Sequence, residues 1–251
     1  MVRVMCAVCY DGADFFGFQS QPSKRNIQDE IQKALSQICK TDMLIIGSGR
    51  TDAGVHANGQ VFHFDTTQNM SERQWKLAIN RLLPKDIHIT SAHFVNNDFH
   101  SRFSAIEKTY YYKINVGEYN PLQCRYVYQF NRNVDIVSMK RVAKLFEGEH
   151  NFWSFCSHEA ETTNSFLKTI KKVQITKKND VICITIIGTG FLRYMVRMIV
   201  GTLLEIGLGK IDDKYILEHL DQEVRQIVAY KVPGCGLYLD EVRYEGDKDA
   251  D

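Results

Sequence analysis

GSGRTDAGVHANGQVFHF (residues 47–64) joins a glycine-rich polar half to an apolar half. Three glycines surround the triplet Arg50-Thr51-Asp52, and the QVFHFD that follows has the alternating, aromatic-rich pattern of a strand. Because glycine lets a backbone approach another group closely, the polar half is predicted to be a loop that precedes this strand. This loop presents one carboxylate, Asp52.

Three hypotheses account for the loop. Glycine-flanked N–H groups can cradle a phosphate, but the spacing fits neither GxxxxGK[ST] nor GxGxxG followed by a helix. Alternatively, Thr51 and Asp52 only organise a tight turn through local hydrogen bonds. In the third hypothesis Asp52 is a catalytic carboxylate that Arg50 holds ionised and aimed. The chemistry of the residues alone leaves the second and third hypotheses open.

Length and composition are typical of a soluble globular protein. The chain has 251 residues, 44% hydrophobic and 24% charged, with a formal net charge of +1. No apolar run reaches the roughly 18 to 20 residues of a membrane span, and MVRVMCAVCYDG lacks the pattern of a signal peptide. We therefore expect a cytoplasmic protein without a membrane partner. The acidic tail EGDKDAD (245–251) carries a charge of −3, so residues 1–244 carry +4, which mildly favours a nucleic-acid partner.

The cysteines indicate reduced thiols. Their number is seven, and they are scattered along the chain. Cys6 and Cys9 form a CxxC within a predicted strand, where residues three apart point to opposite faces. No second pair completes a zinc site, so no metal is predicted. Cys156 and His158 superficially suggest a thiol nucleophile, but without an orienting acid we interpret them as packing or solvent-exposed groups.

Alternating strand and helix patterns predict an α+β fold. The predicted strands are VRVMCAVCY (2–10), QVFHFD (60–65), IHITSAHFV (87–95), KTYYYKINV (108–116), SFLKTIKKVQITKK (165–178), VICITIIG (181–188) and GLYLDEVRY (236–244). The predicted helices run from Asn26 to Cys39, from Ser71 to Leu83, onward from Asp135, and over FLRYMVRMIVGTLLEIGLG (191–209). The expected organisation is two mixed sheet-and-helix domains, 1–105 and 106–245, followed by an acidic tail at 246–251.

The motif at 47–64 resembles the active-site motif of the TruA-type tRNA pseudouridine synthases, G-[AS]-G-R-T-D-A-G-V-H-A-x-G-Q-V-x-H-F. The similarity extends along the chain through YDGADFFGFQSQ (10–21), NRLLPKDI (80–87), FHSRFSAIEKTYYYKI (99–114), GFLRYMVRMIVGTLLEIGLG (190–209) and GLYLDEVRY. The chain departs from the family at Phe18, Asn151 and Met198 and in VPGCGLYL (232–239), but not in Arg-Thr-Asp.

The resemblance implies the pseudouridine synthase fold, with an active-site cleft between the two domains. It implies that Asp52 is the nucleophile, and it leaves open whether the carboxylate attacks the ribose or the base. Arg50 would pair with Asp52, Tyr110 would stack on the uracil, and Arg197 would face a carboxylate near the active site. His56 is left out of the catalytic set. Strand alternation places Tyr110 and Tyr112 on one face.

The resemblance also implies the substrate and the assembly. It implies that uridines at positions 38–40 of the tRNA anticodon stem-loop are isomerised, by a homodimer and without a nucleotide or other cofactor. Two alternatives remain, the same chemistry on another RNA such as ribosomal RNA, and an inactive RNA-binding paralogue. Basic residues that are candidates for RNA contact are Arg25, Arg102, Lys108, Lys168, Lys171 and Lys172.

Overall fold

The computed structural model describes residues 1–157, 165–222 and 226–247. Along the chain lie β1 (Val2–Tyr10), α1 (Ile27–Cys39), β2 (Ile46–Gly47), β3 (His56–Thr66), α2 (Glu72–Leu82), β4 (Ile87–Val95), β5 (Ala105–Asn115), β6 (Tyr128–Gln129), α3 (Ile136–Ala143), β7 (Gly148–Asn151), β8 (Leu167–Lys178), β9 (Val181–Gly188), α4 (Met195–Gly207), α5 (Asp213–Leu217) and β10 (Leu237–Tyr244). The predicted α+β class is confirmed. Within the described ranges, no helix is long and apolar enough to cross a membrane.

The chain divides into two compact units, and the last strand belongs to the first of them. The first unit comprises Met1–Ile106 together with Tyr238–Asp251, and the second comprises Glu107–Leu237. Sequence analysis assigned the last strand to a second domain at 106–245; it lies in the first unit because β10 pairs with β3. Of the predicted acidic tail, residues 248–251 lie outside the described residues.

The first unit is a mixed sheet covered by two helices. The strands β4, β1, β3 and β10 are neighbours in that order, antiparallel except for β10, which runs parallel to β3. Cys6 lies opposite Phe62, and Val4 lies opposite Phe64. The ring of Trp75 from α2 meets Phe64 edge-on at 5.1 Å between centroids, and all five side chains are buried. On β1 burial alternates, and the predicted opposite orientation of Cys6 and Cys9 is confirmed.

The second unit contains the strands β5 to β9 together with α3 and α4. The strands β5, β9, β8 and β7 are antiparallel neighbours in that order, and β6 pairs with β5 in parallel. The hairpin of β8 and β9 turns at Asn179, whose φ of 53° is the left-handed conformation that a tight turn favours. Helix α4 packs against α3 and is buried on almost every side, which explains its apolar sequence.

Candidate active site

The loop that carries Asp52 is held by the segment 11–18 of the first unit. The N–H of Phe18 donates to the carbonyl of Thr51 at 3.1 Å, and the N–H of Gly54 donates to the carbonyl of Phe15 at 3.2 Å. A turn closes the loop, since the N–H of Val55 donates to the carbonyl of Asp52 at 3.2 Å. The backbone on both sides of Asp52 is therefore fixed by hydrogen bonds to the segment 11–18.

Thr51 is tied to the sheet by a buried hydrogen bond. Its Oγ1 lies 2.8 Å from the hydroxyl oxygen of Tyr10, the last residue of β1. Burial raises the pKa of the Tyr10 phenol, while hydrogen bonds to Thr51 and Gln60 oppose the rise. Tyr10 therefore stays neutral, and its hydroxyl holds the side chain of Thr51, the residue that precedes Asp52.

Two glycines allow the segment 11–18 to approach the loop. A Cβ on Gly12 would overlap the carbonyl oxygen of Val55. A Cβ on Gly17 would lie 2.6 Å from the carbonyl oxygen of Thr51, and the φ of Gly17 is +97°, which L side chains rarely adopt. Both positions require glycine because backbone meets backbone there.

His56 supports the loop from its C-terminal side. Its Nδ1 accepts the N–H of Gly12 at 3.1 Å and lies 3.2 Å from Oδ1 of Asp11. Its ring stacks on Tyr238 at 4.7 Å, and the residue is buried. These contacts hold His56 against the segment 11–18 and against Tyr238, so His56 supports the loop.

Asp52 itself is half-buried at the start of the turn, while Arg50 is exposed. Among the described residues Arg50 forms no hydrogen bond or ion pair, so the predicted pairing of Arg50 with Asp52 is not found. Thr51, which lies between the two residues, is buried and bonds to Tyr10, whereas Arg50 is exposed.

Tyr110 lies on β5 in the second unit, opposite Ile186 of β9. Its ring meets Phe191 edge-on, with centroids 5.1 Å apart. Tyr110 and Tyr112 are buried and Tyr111 is half-buried, which confirms the predicted alternation. The hydroxyl of Tyr112 donates to the carbonyl of Pro233 at 2.8 Å, and burial raises the pKa of this phenol well above its usual value.

Arg197 lies on the first turn of α4 and is half-buried. Its Nε donates to the carbonyl of Val232 at 2.8 Å, and the N–H of Val232 donates back to the carbonyl of Arg197 at 3.3 Å. This reciprocal pair fixes the root of the guanidinium against the segment that precedes β10. Arg197 and Tyr110 thus belong to the second unit, and Asp52 and Arg50 to the first.

Several basic residues that were candidates for RNA contact have structural partners. Arg25 forms two hydrogen bonds to Asp86 at 2.8 and 3.0 Å and lies over the ring of Phe15. Lys171 pairs with Glu107 at 2.7 Å. Arg25 therefore holds the segment 11–18 through Phe15 and Asp86. Lys171 forms an ion pair inside the second unit.

The thiol hypothesis gains no support from the structure. Cys156 is buried, and its Sγ–H donates to the carbonyl of Trp153 at 3.2 Å. Its suggested partner His158 lies outside the described residues. In the part of the chain that the structure describes, no group of three or more His, Cys, Asp or Glu side chains is placed to hold a metal ion.

Sequence reasoning missed the residues that fix the loop. Tyr10, Gly12 and Gly17 all belong to YDGADFFGFQSQ, which was noted only for its resemblance. The signal that pointed to them was the pair of glycines among aromatic residues, a pattern typical of close backbone approach. Which loop they approach depends on tertiary structure.

Comparison with known proteins assigns the chain to a class of enzyme. The sequence model of a family described as tRNA pseudouridine synthase matches residues 6–104 and 142–245. "tRNA pseudouridine synthase A 1" of Bacillus cereus is 41% identical over 246 residues, which cover 97% of this chain and 99% of that protein. "tRNA pseudouridine synthase A" of Bacillus subtilis (strain 168) is 40% identical over 247 residues, 97% of this chain and 100% of that protein.

These matches define an isomerase that makes pseudouridine, as predicted. The chain belongs to the tRNA pseudouridine synthase family. Among solved structures, a chain in the archaeal box H/ACA sRNP Nop10-Cbf5 complex aligns with 80% of this chain and 43% of its own length, at 11% identity and a TM-score of 0.37.

Proposed function

We propose that this protein isomerises uridine to pseudouridine at positions 38–40 of the anticodon stem-loop of tRNA, with Asp52 as nucleophile. One observation carries the assignment of Asp52. The backbone around this half-buried carboxylate is pinned on both sides, by the Phe18 and Gly54 N–H groups, in a loop that contains the family's motif. A catalytic group needs such a fixed position, because small displacements reduce the rate steeply.

The reaction that we assign to Asp52 rearranges bonds within one nucleotide. The carboxylate attacks the nucleotide and forms a transient bond to it, and the bond between the ribose and N1 of uracil breaks. The base turns and rejoins the ribose through C5, and the bond to Asp52 breaks, which restores the carboxylate. The proton on C5 is then lost, and N1 gains a proton. No electrons leave the nucleotide and no group is transferred to another molecule, so the proposal includes no cofactor.

The other site residues have roles in holding the substrate. Tyr110 is proposed to stack on the uracil that has left its helix, as aromatic side chains do for unstacked bases. Arg197 is proposed to face a carboxylate near the reaction. Arg50, which is exposed and without a partner among the described residues, is proposed to contact the RNA itself.

The relatives are named as enzymes of tRNA, and their lengths match this chain closely, which supports tRNA as the substrate. We further propose that the protein is a homodimer, which the family resemblance supports. We also propose that it is cytoplasmic, since its cysteines form no disulfide among the described residues. Light scattering of the purified protein checks the dimer, since a monomer mass at micromolar concentration would contradict it.

Tritium release from tRNA labelled at C5 of uridine tests the nucleophile. Wild type is expected to release label from the target uridines, and Asp52→Asn is expected to release at least about 1,000-fold less, because the amide is not a nucleophile. Asp52→Asn should still bind the same tRNA, since its size and turn geometry are kept. An Asp52→Asn variant that is as active as wild type would remove the assignment.

Chemical mapping of pseudouridine then tests the positions. In a tRNA with uridine at 38, 39 and 40, the modification should appear at these sites and disappear when they are changed to cytidine. Modification that appears only in ribosomal RNA would assign the same chemistry to another substrate. Tight tRNA binding without any isomerisation would favour an RNA-binding protein.

A further inference from the structure

Phe16 is an exposed aromatic residue in the segment that holds the loop of Asp52. It is 50% exposed, whereas its near neighbours Phe15 and Phe18 are each only 3% exposed. A ring that stays in water forgoes the stabilisation that its burial would give. Single exposed apolar residues are common on protein surfaces, so the role of Phe16 depends on its position and its neighbours.

The backbone of Phe16 is fixed close to the catalytic motif. Its N–H donates to the carbonyl of Arg25 at 2.9 Å, and its carbonyl accepts the side-chain amide of Gln21 at 2.8 Å. The next residue is Gly17, where a Cβ would lie 2.6 Å from the carbonyl oxygen of Thr51. Phe16 is therefore held one residue away from the backbone contact with the loop of the proposed nucleophile, and its ring is open to solvent.

One cation stands over the ring of Phe16. The Nζ of Lys24 lies 5.0 Å from the centroid of the ring. Lys24 is exposed, and in the described part of the chain its ammonium forms no ion pair and no hydrogen bond. Backbone hydrogen bonds to Gln21 at 3.3 Å and from the Asn26 amide at 3.0 Å hold the turn that carries it. An aromatic ring and an ammonium are thus presented to solvent side by side.

This pair matches the chemistry of a nucleotide whose base has left its stack. Aromatic side chains bind unstacked bases through their faces, and they do so for every base, since each base has a π-face. An ammonium binds a phosphate as a point charge. A nucleotide carries the flat base and the phosphate in one unit, so one ligand satisfies Phe16 and Lys24 together.

We propose that Phe16 stacks on an unpaired base of the RNA substrate and that Lys24 meets a phosphate of the same strand. The base is one other than the reacting uracil, which is assigned to Tyr110. Phe16 is thus a substrate-binding residue of the first unit, next to the loop of Asp52. The identity of the RNA rests on the proposed function, whereas the stacking contact does not.

Binding of tRNA at several salt concentrations tests the stacking. Phe16→Ala is expected to raise the Kd at least about 5-fold, the effect of one lost base–aromatic stack. The slope of log K against log[salt] should stay unchanged, because a stacked base releases no counterion. Phe16→Leu should behave like Phe16→Ala, since leucine is apolar but not aromatic. A wild-type Kd for Phe16→Leu would show an apolar contact instead of stacking.

Phe16→Trp gives a direct signal for the same contact. This variant should bind tRNA at least as tightly as wild type, because the larger ring still stacks. Its additional fluorescence, measured against the wild type with Trp75 and Trp153, should be quenched when tRNA binds. Fluorescence that tRNA does not change would contradict a stacked base.

Removal of single bases from the tRNA identifies the partner of Phe16. In a series of tRNAs, each with one abasic nucleotide at an unpaired position, one position should raise the Kd of wild type and leave the Kd of Phe16→Ala unchanged. The reason is that the same contact is lost in both cases, so the two changes are not additive. Additive effects at every position would overturn the proposal.

Lys24→Gln tests the phosphate contact. It is expected to raise the Kd and to reduce the slope of log K against log[salt] by about 0.7–0.9, and Lys24→Arg should restore both. Lys40→Gln is the matched control, because Lys40 is exposed at the other end of α1. An unchanged slope for Lys24→Gln, or an equal change for Lys40→Gln, would remove this contact from the proposal.

Phe94→Ala is the matched control for the ring. Phe94 is 46% exposed and lies opposite Val4 near the start of β1, whereas Tyr10 at the end of β1 meets Thr51. Its loss should leave the Kd for tRNA unchanged. An equal rise in the Kd for Phe94→Ala and Phe16→Ala would overturn the proposal. If wild type binds tRNA but makes no pseudouridine, the proposed function fails while the Kd measurements still decide on Phe16.

Discussion

Single hydrogen bonds in the first unit fix the position of the loop that carries Asp52. Thr51 precedes Asp52, and its Oγ1 meets the Tyr10 hydroxyl at 2.8 Å where both groups are buried. A buried polar group that loses its partner keeps its desolvation cost, whereas removing both partners is nearly neutral. The contribution of this bond is therefore measurable by a double-mutant cycle.

Tyr10→Phe is expected to lower the free energy of unfolding by about 1–3 kcal/mol, because the Thr51 hydroxyl is left buried without its partner. Thr51→Val should have a similar effect. The double variant should be destabilised by less than the sum of the two single changes. Urea denaturation of the four proteins measures the cycle, and simple additivity would show that the two hydroxyls are not coupled.

His63 couples stability to pH. Its Nδ1 lies 2.6 Å from Oγ of Ser101, and burial, followed by the charges of Arg3 and His100, lowers its pKa to about 4. The neutral form is favoured in the folded state, and in the unfolded chain the pKa returns to about 6.5. The stabilisation that depends on neutral His63 is therefore complete above pH 6.5, and it is lost as the pH falls toward 4.

We expect the free energy of unfolding to fall between pH 6.5 and 4, and to fall less steeply in His63→Asn, whose amide oxygen can still accept from Ser101 but does not titrate. His88→Asn is the control, because His88 is exposed on the neighbouring part of the sheet. Denaturation at a series of pH values gives both slopes. Equal slopes in wild type and His63→Asn would disprove the linkage.

At the scale of elements, local rules were enough for several helix ends and not for others. The predicted capping box of Ser71 and Gln74 starts α2, and Asn26 caps α1 through the N–H of Asp29, as predicted. By contrast, the apolar pattern from residue 191 predicted an earlier start for α4, which begins at Met195. There the left-handed backbone of Tyr194, which depends on tertiary contacts, stops the helix from extending backward.

Helix α4 also depends on a glycine for its packing. A Cβ on Gly201 would lie 2.8 Å from the backbone carbonyl carbon and oxygen of Tyr230, in the segment that continues to Lys231 and Val232. Gly201→Ala gains about 1 kcal/mol of helix propensity. It is nevertheless expected to lower the midpoint of thermal unfolding, because this segment must move away from the helix.

Gly207→Ala, near the end of the same helix, is the comparison. Its Cβ would meet the sulfur of Met139 at 2.8 Å and the Cβ of Val134 at 2.9 Å, and a methionine can move aside more easily than a backbone. It should therefore lower the midpoint of thermal unfolding less than Gly201→Ala does. Calorimetry on both variants makes the measurement, and a stabilised Gly201→Ala would contradict this packing.

At the scale of the whole molecule, the sequence predicted the elements better than their partners. The alternation in GLYLDEVRY predicts a strand, but nothing local tells that it joins residues more than 130 positions earlier. The family resemblance identified the loop that carries Asp52. Neither the resemblance nor the residue spacing showed that Arg50 is exposed, or that Gly12 and Gly17 lie against this loop. These facts depend on contacts between distant segments.

The return of β10 to the first unit predicts a non-local effect of truncation. Asn58 donates from Nδ2 to Oδ1 of Asp240 at 2.8 Å, and the hydroxyl of Tyr244 donates to the carbonyl of Ser101 at 2.8 Å. A chain that ends at residue 236 loses these contacts and the pairing of β10 with β3. Hydrogen exchange should therefore become faster in β3 and stay slow in the hairpin of β8 and β9. Equal loss of protection in both places would mean that the two units unfold together, and unchanged protection in β3 would mean that β10 does not stabilise it.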